Sequence, residues 1–237
     1  MIDPSYTYLL VNAGSFIIPF IFSFHPKLDF YKTWKAFFPA VIITSIVFIS
    51  WDIVFTAIGI WSFNERYVLG INVMGIPLEE WLFFFCIPYA SVFTYHCFKL
   101  FFKFEDLKRV GSLTSIILMV ILPIIAVAFI DRLYTSITFL ATSLFLLAHY
   151  YGLFVYVKLG RFYVIYLILL IPFLITNGIL TGSWIEDAVV KYNPAHNLGI
   201  RILTIPIEDS VYGLFLILMN VTIYEAILKF TQNKMTT

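Results

Sequence analysis

The sequence predicts an all-α integral membrane protein, a polytopic bundle of about seven transmembrane helices. Of its 237 residues 61% are hydrophobic and only 12% are charged, whereas soluble domains carry about 25% charged residues. The mean hydropathy of +0.94 points the same way. The apolar residues also fall in runs of about 20, the length that a helix needs to cross the hydrocarbon core of a bilayer.

Seven apolar segments can be marked along the chain, and only two residues, Asp131 and Arg132, separate the fourth from the fifth. So short a break predicts a tight helical hairpin. The segments cover residues 5–24, 37–61, 77–98, 113–130, 133–157, 162–181 and 205–228. A net charge of +1 gives no electrostatic reason to expect a nucleic-acid partner.

The basic residues predict how the chain is oriented in a cell membrane. Eleven of the fifteen Lys and Arg residues lie in the loops after spans one, three and five and in the C-terminal tail. Because cytoplasmic loops carry the excess of positive charge, we expect the N-terminus outside and the C-terminus in the cytoplasm.

An internal repeat divides the chain into two halves. Residues 69–80 align without gaps to residues 198–209, and six of the twelve positions are identical. Residues 59–61 also match residues 182–184 if the second loop holds six more residues. We therefore predict a first repeat at 1–112, a connector span at 113–132 and a second repeat at 133–237, with both repeats in the same orientation because one span intervenes.

Each copy of the repeat ends in an acidic pair where a span begins. The pairs are Glu79 with Glu80 and Glu208 with Asp209. Acidic residues in the first turn of a helix complement its dipole, which is the purely structural interpretation. The membrane interior solvates charge poorly, however, so carboxyl groups there favour the protonated form. A protonated carboxyl is the group that delivers a proton to a poor base.

Asp52 is a candidate catalytic residue because it lies inside the second span. An aspartate at such a depth costs roughly 2.5–3.5 kcal/mol on insertion scales; the alternative is a hydrogen bond to a Ser or Asn of a neighbouring helix. Asn177 lies at a comparable depth in span six. We expect His149 to be a polar bridge rather than a base, and Glu225 to be a surface residue.

The sequence lacks several chemical signatures. It contains no HExxH or CxxC motif and no GxGxxG fingerprint, so it predicts neither a metal site nor a cofactor. Carboxyl groups, aromatic rings and an apolar interior remain, a set suited to acid catalysis on a hydrocarbon, with ring faces stabilising a carbocation. The predicted substrate-binding residues are Trp51, Trp61, Trp81, Trp184, Tyr212 and Asn177.

The motif Pro-x-Glu-(Glu/Asp), present at 77–80 and 206–209, resembles that of the small membrane lycopene cyclases. These are heterodimer-type enzymes whose two halves are fused in some chains. The resemblance implies an intramolecular lyase, or isomerase, that converts the ψ ends of lycopene to β rings without a flavin. It implies acid–base roles for both acidic pairs and a substrate taken from membrane lipid. The second copy carries Ser210 where the first carries Trp81.

Other interpretations remain open at this point. A proton-coupled membrane transporter or a non-catalytic carotenoid-binding membrane protein would also carry buried acids. A cyclase that forms another ring type or acts on another carotenoid would share these motifs. The sequence does not assign proton donor and base among the carboxyl groups, the number of active sites or the oligomeric state.

Overall fold

The computed structural model describes residues 3–102 and 107–234, and the side chains as far as residue 231. These residues form seven long helices, each long and apolar enough to cross a membrane. The helices are α1 (Thr7–Phe22), α2 (Trp34–Ala57), α3 (Leu78–Phe101), α4 (Lys108–Ala128), α5 (Leu133–Tyr150), α6 (Leu159–Leu180) and α7 (Ile207–Lys234). The prediction of an all-α, multi-pass membrane protein is confirmed.

Most helix boundaries lie within a few residues of the predicted segments, but the ends of α5 and α7 differ by more. The last helix continues to Lys234, beyond the predicted end at residue 228. The fifth segment was expected to reach residue 157, but α5 ends at Tyr150. Gly152 follows with a φ of 78°, a left-handed conformation that commonly terminates helices. The hairpin predicted at residues 131–132 is confirmed, since α4 and α5 pack side by side.

Short strands occupy the loops at one end of the bundle. They form three antiparallel pairs: β1 (Trp61–Phe63) with β4 (Val190–Tyr192), β2 (Asn72–Val73) with β3 (Ile76–Pro77), and β5 (Arg201–Ile202) with β6 (Ile205–Pro206). The pair β1–β4 joins the two halves of the molecule, because β1 follows α2 and β4 follows α6. Helix contacts also join the two halves, because α2 packs against α7 and α3 packs against α6.

The repeat appears as the same order of elements in both halves: two helices, a strand, a 3₁₀ turn, a two-stranded hairpin and a third helix. The hairpins correspond in detail. Met74 and Leu203 adopt left-handed φ angles of 54° and 58°, and they lie at equivalent positions of the aligned segments. Two repeats of three helices in parallel, linked by α4, therefore describe the architecture.

The upstream part of the predicted alignment needs a correction. Gly59 and Gly182 are equivalent, since both follow the end of a helix with φ angles of 75° and 97°. The six extra residues of the second half, however, lie between Gly182 and β4. Val190, the first residue of β4, therefore takes the place of Trp61, and Trp184 belongs to the inserted segment.

Glu225 differs from its expected surface position. Its side chain is only 1% exposed, and Lys99 Nζ lies 2.5 Å from its Oε1. Periodicity could not reveal this, because a buried carboxylate becomes tolerable only when a cation on another helix pairs with it. The ion pair ties α7 to α3 at the end of the bundle opposite the strands.

Candidate active site

A cavity lies between the two halves, where α3 and α7 begin. Its volume is about 660 Å³ with its open side included. Aromatic and apolar side chains form most of its wall. The polar residues at the wall are Tyr8, Asp52, Glu80, Tyr134, Asn177, Tyr192, Asp209 and Tyr212.

The first glutamate of each acidic pair is bound to its own loop. Glu79 Oε1 accepts a hydrogen bond from the backbone N–H of Leu69 at 2.6 Å, and Glu208 Oε1 accepts one from Leu198 at 2.7 Å. Thr135 Oγ1 also donates to Glu208 Oε1, at 2.6 Å. Both glutamates are fully buried and lie outside the cavity wall. Their contacts hold each loop against the start of its helix.

The second acid of each pair faces the cavity. Glu80 Oε2 accepts a hydrogen bond from the Tyr8 hydroxyl on α1. In the other half Asp209 Oδ1 accepts one from the Tyr134 hydroxyl on α5, at 2.5 Å. Both tyrosines come from the first helix of their repeat. Tyrosine and acid therefore form a duplicated unit, and both copies contact the same cavity.

Asp209 has two further hydrogen-bond donors. Asn177 Nδ2 donates to its Oδ2 at 2.6 Å, and Tyr192 Oη donates to the same oxygen at 2.9 Å. Burial, and next the negative charge of Asp209, raise the pKa of Tyr192 well above its ordinary value. Tyr192 therefore keeps its proton and remains a donor at neutral pH.

Asp52 is the third carboxyl group at the cavity. It is 2% exposed, and its Oδ2 has no hydrogen-bond partner among the described residues. The alternative of a Ser or Asn partner therefore finds no support for this oxygen. None of the cavity-lining residues described is a Lys or Arg. Three carboxyl groups thus share an apolar cavity whose described wall holds no cation. Such surroundings favour the uncharged form of a carboxyl group that lacks hydrogen-bond donors.

The chain matches a protein-family model described as lycopene cyclase over residues 5–98 and 131–227. This chain belongs to the lycopene cyclase family. The two matched segments fall in the two halves of the fold and leave out the whole of α4. No curated protein and no solved structure matches the chain. Family membership supports an enzyme of carotenoid cyclisation with a lipid-soluble carotenoid substrate in a membrane.

Aromatic rings line the cavity beside the carboxyl groups. The rings of Trp61 and Tyr134 meet edge to face with centroids 5.3 Å apart, and Tyr212 lies 6.4 Å from Trp61. All three line the wall. Ring faces attract cations, so this cluster offers a surface on which a carbocation is stabilised.

The other predicted substrate-binding tryptophans lie outside the cavity wall. Trp51 packs behind Tyr212, with ring centroids 5.6 Å apart. Trp81 Nε1 donates to the carbonyl of Val73 in the neighbouring hairpin, at 3.2 Å. Trp184 is 58% exposed. Of the predicted binding residues, the structure brings Trp61, Tyr212 and Asn177 to the cavity.

Residues that the sequence did not single out complete the site. Tyr8, Tyr134 and Tyr192 bind its carboxyl groups, but tyrosine is common at membrane interfaces, so their presence alone gave no signal. Tyr8 and Tyr134 each lie at the start of the first helix of a repeat, and this correspondence could have been noticed. His149 bridges to Thr222 Oγ1 through Nε2 at 3.0 Å and does not line the cavity.

Proposed function

We propose that the chain cyclises the acyclic ψ ends of lycopene to β rings, forming γ-carotene and then β-carotene as an intramolecular lyase. One observation carries the proposal. The second acids of both motifs and Asp52 converge on one aromatic cavity, and its described wall holds no cation. Such a cavity suits a hydrocarbon that has to be protonated.

The reaction balances without an oxidant or a reductant. A carboxyl group gives a proton to the terminal double bond of the ψ end, which leaves a tertiary carbocation. The electrons of a second double bond then close the six-membered ring and move the positive charge into it. A base removes a ring proton, a ring double bond forms, and the product has the same mass as lycopene.

Different surroundings suggest different roles for the acids. Asp52, with an oxygen that lacks a partner, and Glu80, with one tyrosine donor, are proposed to supply the proton. Asp209 accepts three hydrogen bonds, which stabilise a carboxylate. Asp209 is therefore proposed as the base that removes the ring proton.

Glu79 and Glu208 are assigned positioning roles in this scheme. Each binds the backbone of its own loop and so determines where the following acid lies. The aromatic cluster of Trp61, Tyr134 and Tyr212 is proposed to stabilise the cationic intermediates, since a cation over a desolvated ring gains about 2 kcal/mol.

The proposed placement in the cell membrane follows from the basic residues. With repeats at 1–112 and 133–237 around a connector at 113–132, both acidic motifs lie at the outer leaflet and the C-terminus is cytoplasmic. A carotenoid dissolved in the bilayer would then reach the cavity without crossing water.

Expression in cells that accumulate lycopene tests the proposal. We expect an orange product with the mass of lycopene and two β rings, and unreacted lycopene when Asp52→Asn is expressed instead. Asp131→Asn, in the exposed α4–α5 hairpin, is the matched control and should retain activity. Unchanged lycopene with correctly inserted wild-type protein would refute the proposal and favour a transporter or a carotenoid-binding protein.

A further inference from the structure

A second cavity lies at the opposite end of the bundle from the candidate active site. It is an open cleft of about 1250 Å³, its open side included, between the start of α4, the end of α5 and the start of α6. Its wall carries three basic residues, Lys108, Lys158 and Arg161. Nothing in the cyclisation scheme uses this cleft.

The described lining residues of the cleft carry an excess of positive charge. None of its described lining residues is acidic, and neither Lys158 nor Arg161 forms an ion pair with another described residue. Arg161 Nε is buried without a hydrogen-bond partner among the described residues. Hydroxyl groups of Ser112 and Tyr150 add further donors to the wall. Lys158 and Arg161 thus bring positive charge to the cleft that no described acidic residue pairs with.

Close backbone packing forms the floor of the cleft. A Cβ atom added to Gly111 would lie 2.4 Å from the backbone N of Gly160, so α4 and α6 touch without side chains between them. Both helices begin here, and their N-cap residues, Leu107 and Lys158, form no side-chain capping hydrogen bond. Their first-turn N–H groups add the positive end of two helix dipoles to the charge of the basic residues.

The first half of the molecule differs at the corresponding place. At the start of α2 Phe30 is completely buried, and Lys32 pairs with Asp29 at 2.7 Å. At the start of α2, aromatic packing fills the space and the basic residue has an acidic partner. The basic cleft, which α4 helps to form, is therefore not a consequence of the repeat.

We propose that this cleft binds a phosphate group, of the kind carried by the headgroup of an anionic membrane lipid. The cleft lies at the end of the bundle that holds most of the basic loops. Basic pockets between transmembrane helices on the cytoplasmic side are suited to such headgroups. Lys158 and Arg161 contact the phosphate oxygens, and the net negative charge distinguishes an anionic lipid from zwitterionic phosphatidylcholine.

Lipid-dependent thermal stability tests the site. The full chain, purified in neutral detergent and stripped of lipid, is titrated with phosphatidylglycerol, with phosphatidylcholine or with inorganic phosphate while its unfolding temperature is measured. We expect phosphatidylglycerol to raise that temperature and phosphatidylcholine to have little effect. In the double variant Lys158→Gln/Arg161→Gln the phosphatidylglycerol concentration needed should rise about tenfold or more, because charge-assisted hydrogen bonds are lost.

Lys35→Gln is the matched control, since Lys35 is an exposed basic residue in the first turn of α2 at the same end of the bundle. This variant should respond to phosphatidylglycerol like the wild type. A response to inorganic phosphate alone that is lost in the double variant would support the site and assign it to a soluble ligand. Equal responses to both lipids, or an unchanged response in the double variant, would overturn the proposal.

Discussion

The two halves of the molecule agree where they bind their own backbone and differ where they face the cavity. Glu79 and Glu208 accept the same hydrogen bond, from an N–H ten residues earlier. The following acids differ, because Glu80 has one tyrosine donor whereas Asp209 has three donors. The hydrogen bond that anchors the motif is therefore the same in both halves, while the hydrogen-bond partners of the second acid differ.

The halves also differ in the space beside the second acid. Gly213 in α7 lies at the wall of the cavity, whereas Phe84, at the equivalent position of α3, is 1% exposed and packs near Phe48 with ring centroids 6.3 Å apart. The second half therefore has cavity space beside its second acid, whereas a buried phenylalanine ring fills the equivalent place in the first half. This asymmetry favours one shared site that treats both ends of the substrate in turn over two equivalent sites.

The largest expected effect separates one shared site from two. Because both acids line one cavity, Glu80→Gln and Asp209→Asn should each lower the cyclisation rate about 10²–10⁴-fold, the usual range for lost acid–base catalysis. Each should leave lycopene itself, measured by chromatography of extracted pigments. Glu65→Gln, on an exposed loop, serves as the control. Accumulation of a one-ringed product in both variants would instead indicate a separate site in each half.

The open space at Gly213 gives the next largest effect. A Cβ there would lie 3.2 Å from Tyr166 Oη and 3.8 Å from a Phe173 ring carbon, so Gly213→Ala is nearly tolerated and Gly213→Leu fills part of the cavity. We expect Gly213→Leu to lower cyclisation about tenfold or more, as overpacking costs of 1–3 kcal/mol imply.

Gly14→Leu is the control for this substitution, since a Cβ added at Gly14 would meet nothing within 4 Å. It adds the same side chain at an exposed position of α1. If Gly213→Leu cyclises lycopene at the wild-type rate, the substrate does not use the space beside α7, and the inferred difference between the halves is wrong.

A smaller effect tests the shared scaffold. Glu79→Ala removes the acceptor of the Leu69 N–H, and leaving that donor unpaired should cost about 1–3 kcal/mol of unfolding free energy. Glu79→Gln keeps an oxygen that accepts the bond, so it should restore stability and much of the activity. Thermal unfolding measures the stability of the two variants, and pigment analysis measures their activity. Inactivity of Glu79→Gln with wild-type stability would instead show that Glu79 transfers protons.

Much of the fold could be predicted from the sequence, because span length and hydropathy are local properties. The seven spans, the α4–α5 hairpin and the repeat at 69–80 and 198–209 all follow from such patterns. The partners of buried charges could not be predicted, since they lie on other helices. Glu225 was expected at the surface but is paired with Lys99, a contact between residues 126 positions apart.

Contacts that depend on tertiary structure could not be predicted for the acidic pairs of the candidate site either. Adjacent residues of a helix point about 100° apart, so the sequence placed both acids correctly at a helix start but could not tell which one faces inward. The decision depends on the loop N–H groups of Leu69 and Leu198, which bind the first acid. The partners Tyr8 and Tyr134 likewise follow from how α1 and α5 pack.

The smallest expected effect concerns Tyr192, a donor that Asp209 has and Glu80 lacks. Tyr192→Phe removes one of three hydrogen bonds to Asp209 and should lower cyclisation about two- to tenfold, the equivalent of 0.5–1.5 kcal/mol. Burial, then the charge of Asp209, hold the pKa of Tyr192 well above its ordinary value. A group whose pKa is raised by folding contributes stability that is fully present below its unfolded pKa, about 10 for tyrosine, and lost as the pH rises beyond it.

The unfolding free energy of the wild type should therefore fall more steeply above about pH 10 than that of Tyr192→Phe. Thermal unfolding in detergent across the alkaline range measures this difference. Tyr31→Phe, at an exposed position, provides a tyrosine control that should follow the wild type. If the unfolding free energies of the wild type and Tyr192→Phe instead fall equally steeply above about pH 10, Tyr192 ionises as readily in the folded chain as in the unfolded one. The extra donor would then not account for the difference between Asp209 and Glu80.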